Sequence, residues 1–236
     1  VTSINVDTIE SSTSTLTIGA SGNSVVAADS VNVNLVKDAS GATMWESDGS
    51  GVLSNVNAGF GDDLVLLNTT TASNTANVTY TLTNTYKEFI IKCISINPVT
   101  DDVSLQFQLS NDGTNYNKTI TSTFWVAYNT ETGSPTGLTY DGLHDQAQGT
   151  AFQTFFKEVG NDADQACSAE LHLFNPSSTT FAKNFYVRAT GTLYHQYIQD
   201  QYTAGYINDT AAMTSIRFQM SSGNINSGKI KMYGVK

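Results

Sequence analysis

The sequence predicts an all-β protein: an antiparallel β-sandwich, jelly-roll-like, preceded by an extended β-rich N-terminal segment. Three observations predict this. Apolar side chains recur at every second position in runs such as Val103, Leu105, Phe107 and Leu109, the period of a strand with one buried face. Turn signals rich in Gly, Asn, Asp and Ser separate the runs at short intervals, as in all-β sandwiches and barrels. No long run holds a helical period.

The first 60 residues differ from the rest. Of the 24 aromatic residues only Trp45 and Phe60 fall there, and one basic residue, Lys37, stands against six acidic ones. In "SVNVNLV" the side chains of Val31, Val33 and Leu35 share one face. So few large apolar groups make a poor independent core. A Ser/Thr-rich linker is one reading of residues 1–60. An attachment or oligomerisation segment, completed by other copies or a larger body, is the other. The alternation favours attachment, because a plain linker has no use for it. Met44 and Trp45 form its anchor, and the boundary falls at 58–62, where Gly59 and Gly61 flank Phe60.

Residues 61–236 read as a β-sandwich domain of eight or nine strands. Strands are expected over 63–67, 78–83, 89–96, 103–109 and 119–128. "SNDGTNY" supplies Asp112-Gly113 as a hairpin turn needing positive φ. An irregular stretch follows over 129–164, in which "TAFQTFFKEV" has room for one or two helical turns. Strands resume over 169–174 and 185–194, and "AMTSIRFQM" and "GKIKMYGV" close the chain around the turn region "SSGNINSG". Strand number makes the jelly roll the best single topology.

Composition excludes several functions. Eleven Lys and Arg against 21 Asp and Glu give a net charge of −10, with 14% of positions charged. Nucleic-acid binders concentrate basic residues to displace counterions, and an anionic membrane would repel this chain. The longest apolar runs, such as Leu64 to Leu67, are too short for a spanning helix.

Catalytic patterns are sparse. His144, His172 and His195 are scattered, with no H-E-x-x-H, C-x-x-C or G-x-S-x-G. His144 beside Asp141 and Asp145 is the one local acid–base grouping, and Cys93 with His172 is the one thiol–imidazole combination to test. Cys93 and Cys167 sit in strand segments, either paired or as free buried thiols. Asp62-Asp63, Asp101-Asp102 and Asp162-x-Asp164 are turn carboxylates, and a glycosidase would need two of them on adjacent strands. No cofactor is expected. Calcium at "NDADQ" is the one ion considered, since it accepts loop carboxylates and carbonyls. Sequons at Asn68, Asn77, Asn117 and Asn208 accompany the abundance of Asn and Thr.

Aromatic residues offer a contact surface instead. Trp125, Tyr128 and Tyr140 lie at or within the long loop, and "LYHQYIQDQYTAGY" carries Tyr194, Tyr197, Tyr202 and Tyr206 among Gln and Asp side chains. A ring against a sugar face with short polar groups at its rim is the chemistry of glycan binding. Contact with neighbouring protein uses the same amphipathic residues, and ordinary packing is the third reading.

Two stretches, "YKEFIIKCISINPVTDDVSLQFQLSNDGTNY" and "IRFQMSSGNINSGKIKMYGV", resemble surface and tail-associated structural proteins of tailed bacteriophages, of the aquatic-phage type. The shared features are the "S-N-D-G-x-x-Y" turn at 110–116 and a closing "S-G-x-I-x-x-Y-G" hairpin at 227–234. The N-terminal "DASGATMWESDGSG" is similar to segments that precede such modules. The resemblance implies a non-enzymatic virion component in a tail, fibre or capsid-decoration position. Its implied partners are other copies of itself, neighbouring virion proteins and a host surface glycan, with no nucleic acid and no membrane insertion. A carbohydrate-binding, receptor-recognition module is the alternative.

Overall fold

The structure is a computed structural model that describes residues 35–50, 53–54, 56, 63–195 and 197–235. The chain divides into two units, Val1–Phe60 and Gly61–Lys236. In the first, β1 (Leu35–Lys37), β2 (Thr43–Ser47) and β3 (Leu53–Ser54) form an antiparallel sheet in that order. Asp38 shapes the β1–β2 turn: its Oδ1 accepts from the Ser40 Oγ (2.6 Å) and from the backbone N–H groups of Ser40 (2.8 Å) and Ala42 (3.0 Å). These bonds hold its carboxyl below the ordinary range, the Ser40 hydroxyl contributing most. Val36 pairs with Trp45 across the turn. Val31 and Val33, expected to share a face with Leu35, lie outside the described residues.

The second unit is all-β, with antiparallel sheets in a sandwich-like arrangement. Its strands are β4 (Leu64–Thr75), β5 (Val78–Thr81), β6 (Glu88–Pro98), β7 (Val103–Ser110), β8 (Ile120–Thr130), β9 (Gly137–Tyr140) and β10 (Ala147–Gly149). They continue with β11 (Gln153–Val159), β12 (Cys167–Phe174), β13 (Lys183–Thr192), β14 (Tyr197–Ile207), β15 (Ser215–Met220) and β16 (Ile225–Val235). The larger sheet has nine strands in the order β10-β8-β14-β13-β12-β6-β16-β4, with β9 also paired to β8. The smaller runs β11-β7-β15-β5.

Period two builds the core. Along β12 and β13, Leu171, Leu173, Phe185 and Val187 are buried, while Glu170, His172, Tyr186 and Arg188 point the other way. Phe107 of the smaller sheet meets Phe185 of the larger edge-to-face at 5.1 Å, and Phe155 packs on Phe107 and Phe218 in the same geometry. Such pairs add to the burial of the rings themselves. The Tyr80 hydroxyl crosses between sheets to donate to the Ile230 carbonyl at 2.7 Å.

Toward β8 and β14 the interior turns polar. Gln201, fully buried, accepts from the Lys157 N–H at 2.9 Å and donates to the Gln199 Oε1 at 2.6 Å. Buried Gln153 accepts from the Ser122 hydroxyl at 2.7 Å and donates to the His144 carbonyl at 3.0 Å. These amides do the work of missing ladder partners, since buried backbone groups must be paired.

Several expectations are corrected. The unit has thirteen strands among the described residues, because the 129–164 stretch contains β9, β10 and β11 and residues 197–207 form β14. "TAFQTFFKEV" holds strand β11 rather than helical turns, and Phe155 and Phe156 are both fully buried. A register shift between Thr154 and Phe156 explains how adjacent rings both go inward. Asp112-Gly113 turns as expected, with Gly113 at φ 77°, but it joins no hairpin. β7 and β8 lie in different sheets, so the turn hands the chain from one to the other. Residues 227–234 lie inside the single strand β16 rather than forming a closing hairpin. The Tyr-rich stretch, expected as strand only as far as Tyr194, contains β14, which pairs with β13 on one side and β8 on the other.

Cys93 and Cys167 are buried free thiols. Burial pushes Cys167 up to about 12 and raises Cys93 as well. Cys93 faces the core and His172 the opposite side of the sheet, so they form no dyad.

Lys183 is buried where the chain enters β13, and its Nζ donates to the carbonyls of Ser178 (2.8 Å), Phe181 (3.0 Å) and Asp209 (2.9 Å). Burial lowers its pKa, with the nearby Asp209 charge acting against that shift. Lys183→Met keeps the stem and strands three carbonyls, so unfolding free energy by urea titration should fall by about 3 kcal/mol.

Candidate functional site

Six of the seven aromatic candidates divide between the two faces of the larger sheet, and Tyr194 lies in the turn before β14. Alternation along β8 and β14 sends Trp125, Tyr202 and Tyr206 outward, and Tyr128 and Tyr197 toward the side of the smaller sheet. Trp125 and Tyr202 are cross-strand partners whose rings stack at 4.1 Å with 5° between planes. Tyr140 pairs with Trp125 from β9 on the other side. Trp125, Leu138 and Tyr140 are 37%, 68% and 56% exposed, and with Thr139 they line a mainly apolar depression of about 350 Å³. Tyr206 lies further along the outer face, between Thr121 and Asn184.

Polar groups fix this platform. Arg188 lies over the Tyr202 ring at 5.3 Å and grips Asp200 with two bonds, Nε to Oδ1 at 3.2 Å and Nη2 to Oδ2 at 2.9 Å. The Tyr202 hydroxyl donates to the same Oδ2 at 2.9 Å. The hydrogen bond to Asp200 is the main cause that raises the pKa of both Arg188 and Tyr202. The Tyr140 hydroxyl donates to Asp145, which raises Tyr140 likewise.

On the other face, Tyr128 and Tyr197 lie nearly parallel with centroids 6.5 Å apart, and His195 sits edge-on between Tyr194 and Tyr197, 4.3 Å from each. A depression of about 210 Å³ is lined by Tyr128, Pro135, Lys157, His195, Tyr197 and Gln199 among others. His195 therefore belongs to the turn between β13 and β14 and not to a strand.

The acid–base grouping around His144 is only partly assembled. His144 Nδ1 and Lys157 Nζ each lie 2.9 Å from Asp141 Oδ2, whereas Asp145 serves Tyr140. With the Asp141 N–H bonded to the Phe124 carbonyl at 2.8 Å and His144 packed near Phe124, the arrangement pins the loop after β9 to β8 and β11. His172 bonds Glu88 (Nδ1, 2.6 Å) and Glu170 (Nε2, 2.9 Å) and stacks on Tyr186 at 4.5 Å. Glu170 also meets Lys92 at 2.9 Å. Burial works to raise Glu170, but His172 and Lys92 outweigh it and hold it low.

Among the described residues no group of three or more His, Cys, Asp or Glu is placed to hold a metal ion. At "NDADQ" the turn closes on itself: the Asp162 N–H donates to Gln165, and Asn97 donates to the carbonyls of Asp162 and Gln165. Asp101 accepts from the Asn161 N–H, and Asp62 lies outside the described residues.

Compared with protein-family models, curated proteins and solved structures, the chain matches none.

Residues that sequence reasoning passed over include Arg188, Glu170, Lys92 and Leu138. The alternation in "KNFYVRATGT" places Tyr186, Arg188 and Thr190 on one face. Only strand order puts that face beside Tyr202 and Glu170.

Asp141 yields a pH prediction. Burial acts to raise it, but hydrogen bonds from Lys157, His144 and the Leu143 N–H bring it down to about 2 from 3.8. A carboxylate depressed in the folded state contributes stability that is complete above the unfolded pKa and is lost as pH falls through the folded one. Asp141→Asn should therefore cost about 2 kcal/mol at neutral pH. That deficit should disappear between about pH 4 and pH 2 in urea titrations of the two proteins.

Proposed function

We propose that the chain is a non-enzymatic structural module of a virus particle, working by contact from a surface, tail or fibre position. The observation that carries this reading is the open outer face of the nine-stranded sheet, which bears Trp125, Tyr140, Tyr186 and Ile198 as exposed apolar side chains. Clustered exposed apolar groups with a polar surround suit an interaction surface. The resemblance to tail-associated phage proteins supports a virion setting. A jelly-roll-like topology draws support from the repeated crossing of the chain between sheets from β4 to β8, at β11 and at β15, with β8–β9–β10 and β12–β13–β14 staying within the larger sheet. The N-terminal segment, poor in aromatics, serves on this reading as the part completed by other copies. Mass measurement at micromolar concentration should give a multimer, which deletion of residues 1–60 reduces to a folded monomer. A monomeric full-length chain overturns the reading.

Carbohydrate recognition is the second reading, favoured by the Trp125 ring and the apolar depression it shares with Leu138, Thr139 and Tyr140. An aromatic wall beside hydroxyl-bearing side chains is suited to a sugar ring. Calorimetric titration with host-surface glycans should show binding that Trp125→Ala weakens roughly tenfold or more, the effect of removing a hot-spot aromatic.

A further inference from the structure

A second feature of the outer face lies beside the aromatic platform. Tyr202, Arg188, Glu170 and Lys92 are successive cross-strand partners on β14, β13, β12 and β6. They form one row of long side chains running across the strands. Two residues along, the partners on β8, β14, β13 and β12 are short, namely Ala127, Asp200, Thr190 and Ser168, while on β6 the exposed apolar Ile94 closes that end. A tall row beside a low one makes a step. The result is a depression of about 510 Å³ walled by Lys92, Glu170 and Arg188 and floored around Ser168 and Thr190. Asp200 also borders a second depression, of about 220 Å³, lined by Ala127, Asn129 and Ile198 among others. The low row crosses four strands, a span of about 14 Å at the usual strand spacing.

We infer that this trough binds an extended chain of neutral sugars laid across the strands. The inference rests on the carbohydrate-recognition reading and adds a site and a ligand class to it. Length favours a polymer over a single ring. Charge favours a neutral one: Lys92 is paired with Glu170 at 2.9 Å and Arg188 with Asp200 at 2.9 Å, so the walls carry two cations and two anions in balance. A polyanion would have to break those pairs and approach a chain of net charge −10. Sugar hydroxyls both donate and accept, which matches walls that offer guanidinium and ammonium donors next to carboxylate acceptors, and a floor of Ser and Thr hydroxyls. The ion pairs also hold the wall side chains in place, and that lowers the ordering cost of binding.

The test uses the full chain and a series of neutral linear oligosaccharides of increasing length, read by calorimetry. Affinity should rise over the first several sugars and then level off. Thr190→Tyr fills the floor from an exposed position, so it should weaken the longer ligands about tenfold or more by steric exclusion, with an unchanged thermal midpoint. If Thr190→Tyr binds as wild type does while Trp125→Ala does not, the trough is overturned and recognition by the aromatic depression stands. Wild type binding no neutral glycan overturns both. Binding of charged glycans alone overturns the neutral class. A change in assembly mass without a change in glycan affinity overturns the inference in favour of a protein contact.

Discussion

A four-stranded sheet can shield only part of the inner face of a nine-stranded one, and the remainder must satisfy its polar groups another way. Where β7, β15 and β5 cover it, the inner face carries Phe, Leu, Ile and Val at alternate positions. Toward β8 and β14 the same parity carries Ser122, Gln199, Gln201 and Thr203 interspersed with Ile120, Phe124, Val126 and Ile207. Gln201 and Gln153 then complete hydrogen bonds that a further strand would have made. The cost of an unpaired buried amide is what selects glutamine there.

The same inequality places the charged groups. Lys157 and His144 meet Asp141 at the margin of the smaller sheet, and Lys183 closes three carbonyls where β13 begins. Each tethers a connecting segment to the sheets, a role consistent with local hydrogen-bond accounting and needing no chemistry. The pairs on the outer face differ in being solvent-facing, so they contribute little stability. Their consequence is geometric, since they hold long side chains upright in a row.

On the two proposed readings, contact and recognition would be two uses of one face. The tall row is continuous from Trp125 through Tyr202 and Arg188 to Lys92, so an apolar end and a charge-balanced end share one rigid wall. A partner protein would press on the exposed rings. A polysaccharide would follow the groove beside them. Both readings draw on the pleat, which holds alternate side chains at fixed spacing whatever lies above them.

Alternation in the sequence was enough to establish the all-β class, the inward positions of Leu105, Phe107, Leu171 and Leu173, and the outward position of His172. Those are properties of single strands, where period two decides the face. The abundance of turn residues marked the Gly113 turn too, because positive φ is a local demand. Sheet membership was not legible in the same way. Asp112-Gly113 reads as a hairpin until β7 and β8 are found in different sheets, and "TAFQTFFKEV" reads as irregular because a register shift breaks its period. Spacing puts Tyr197 and Tyr202 on opposite faces once both lie on one strand, but it could not say which neighbours each face meets. Strand order is set by long-range pairing, which joins residues far apart in the chain. It alone put Trp125 on Tyr202, Arg188 on Asp200 and Glu170 on Lys92.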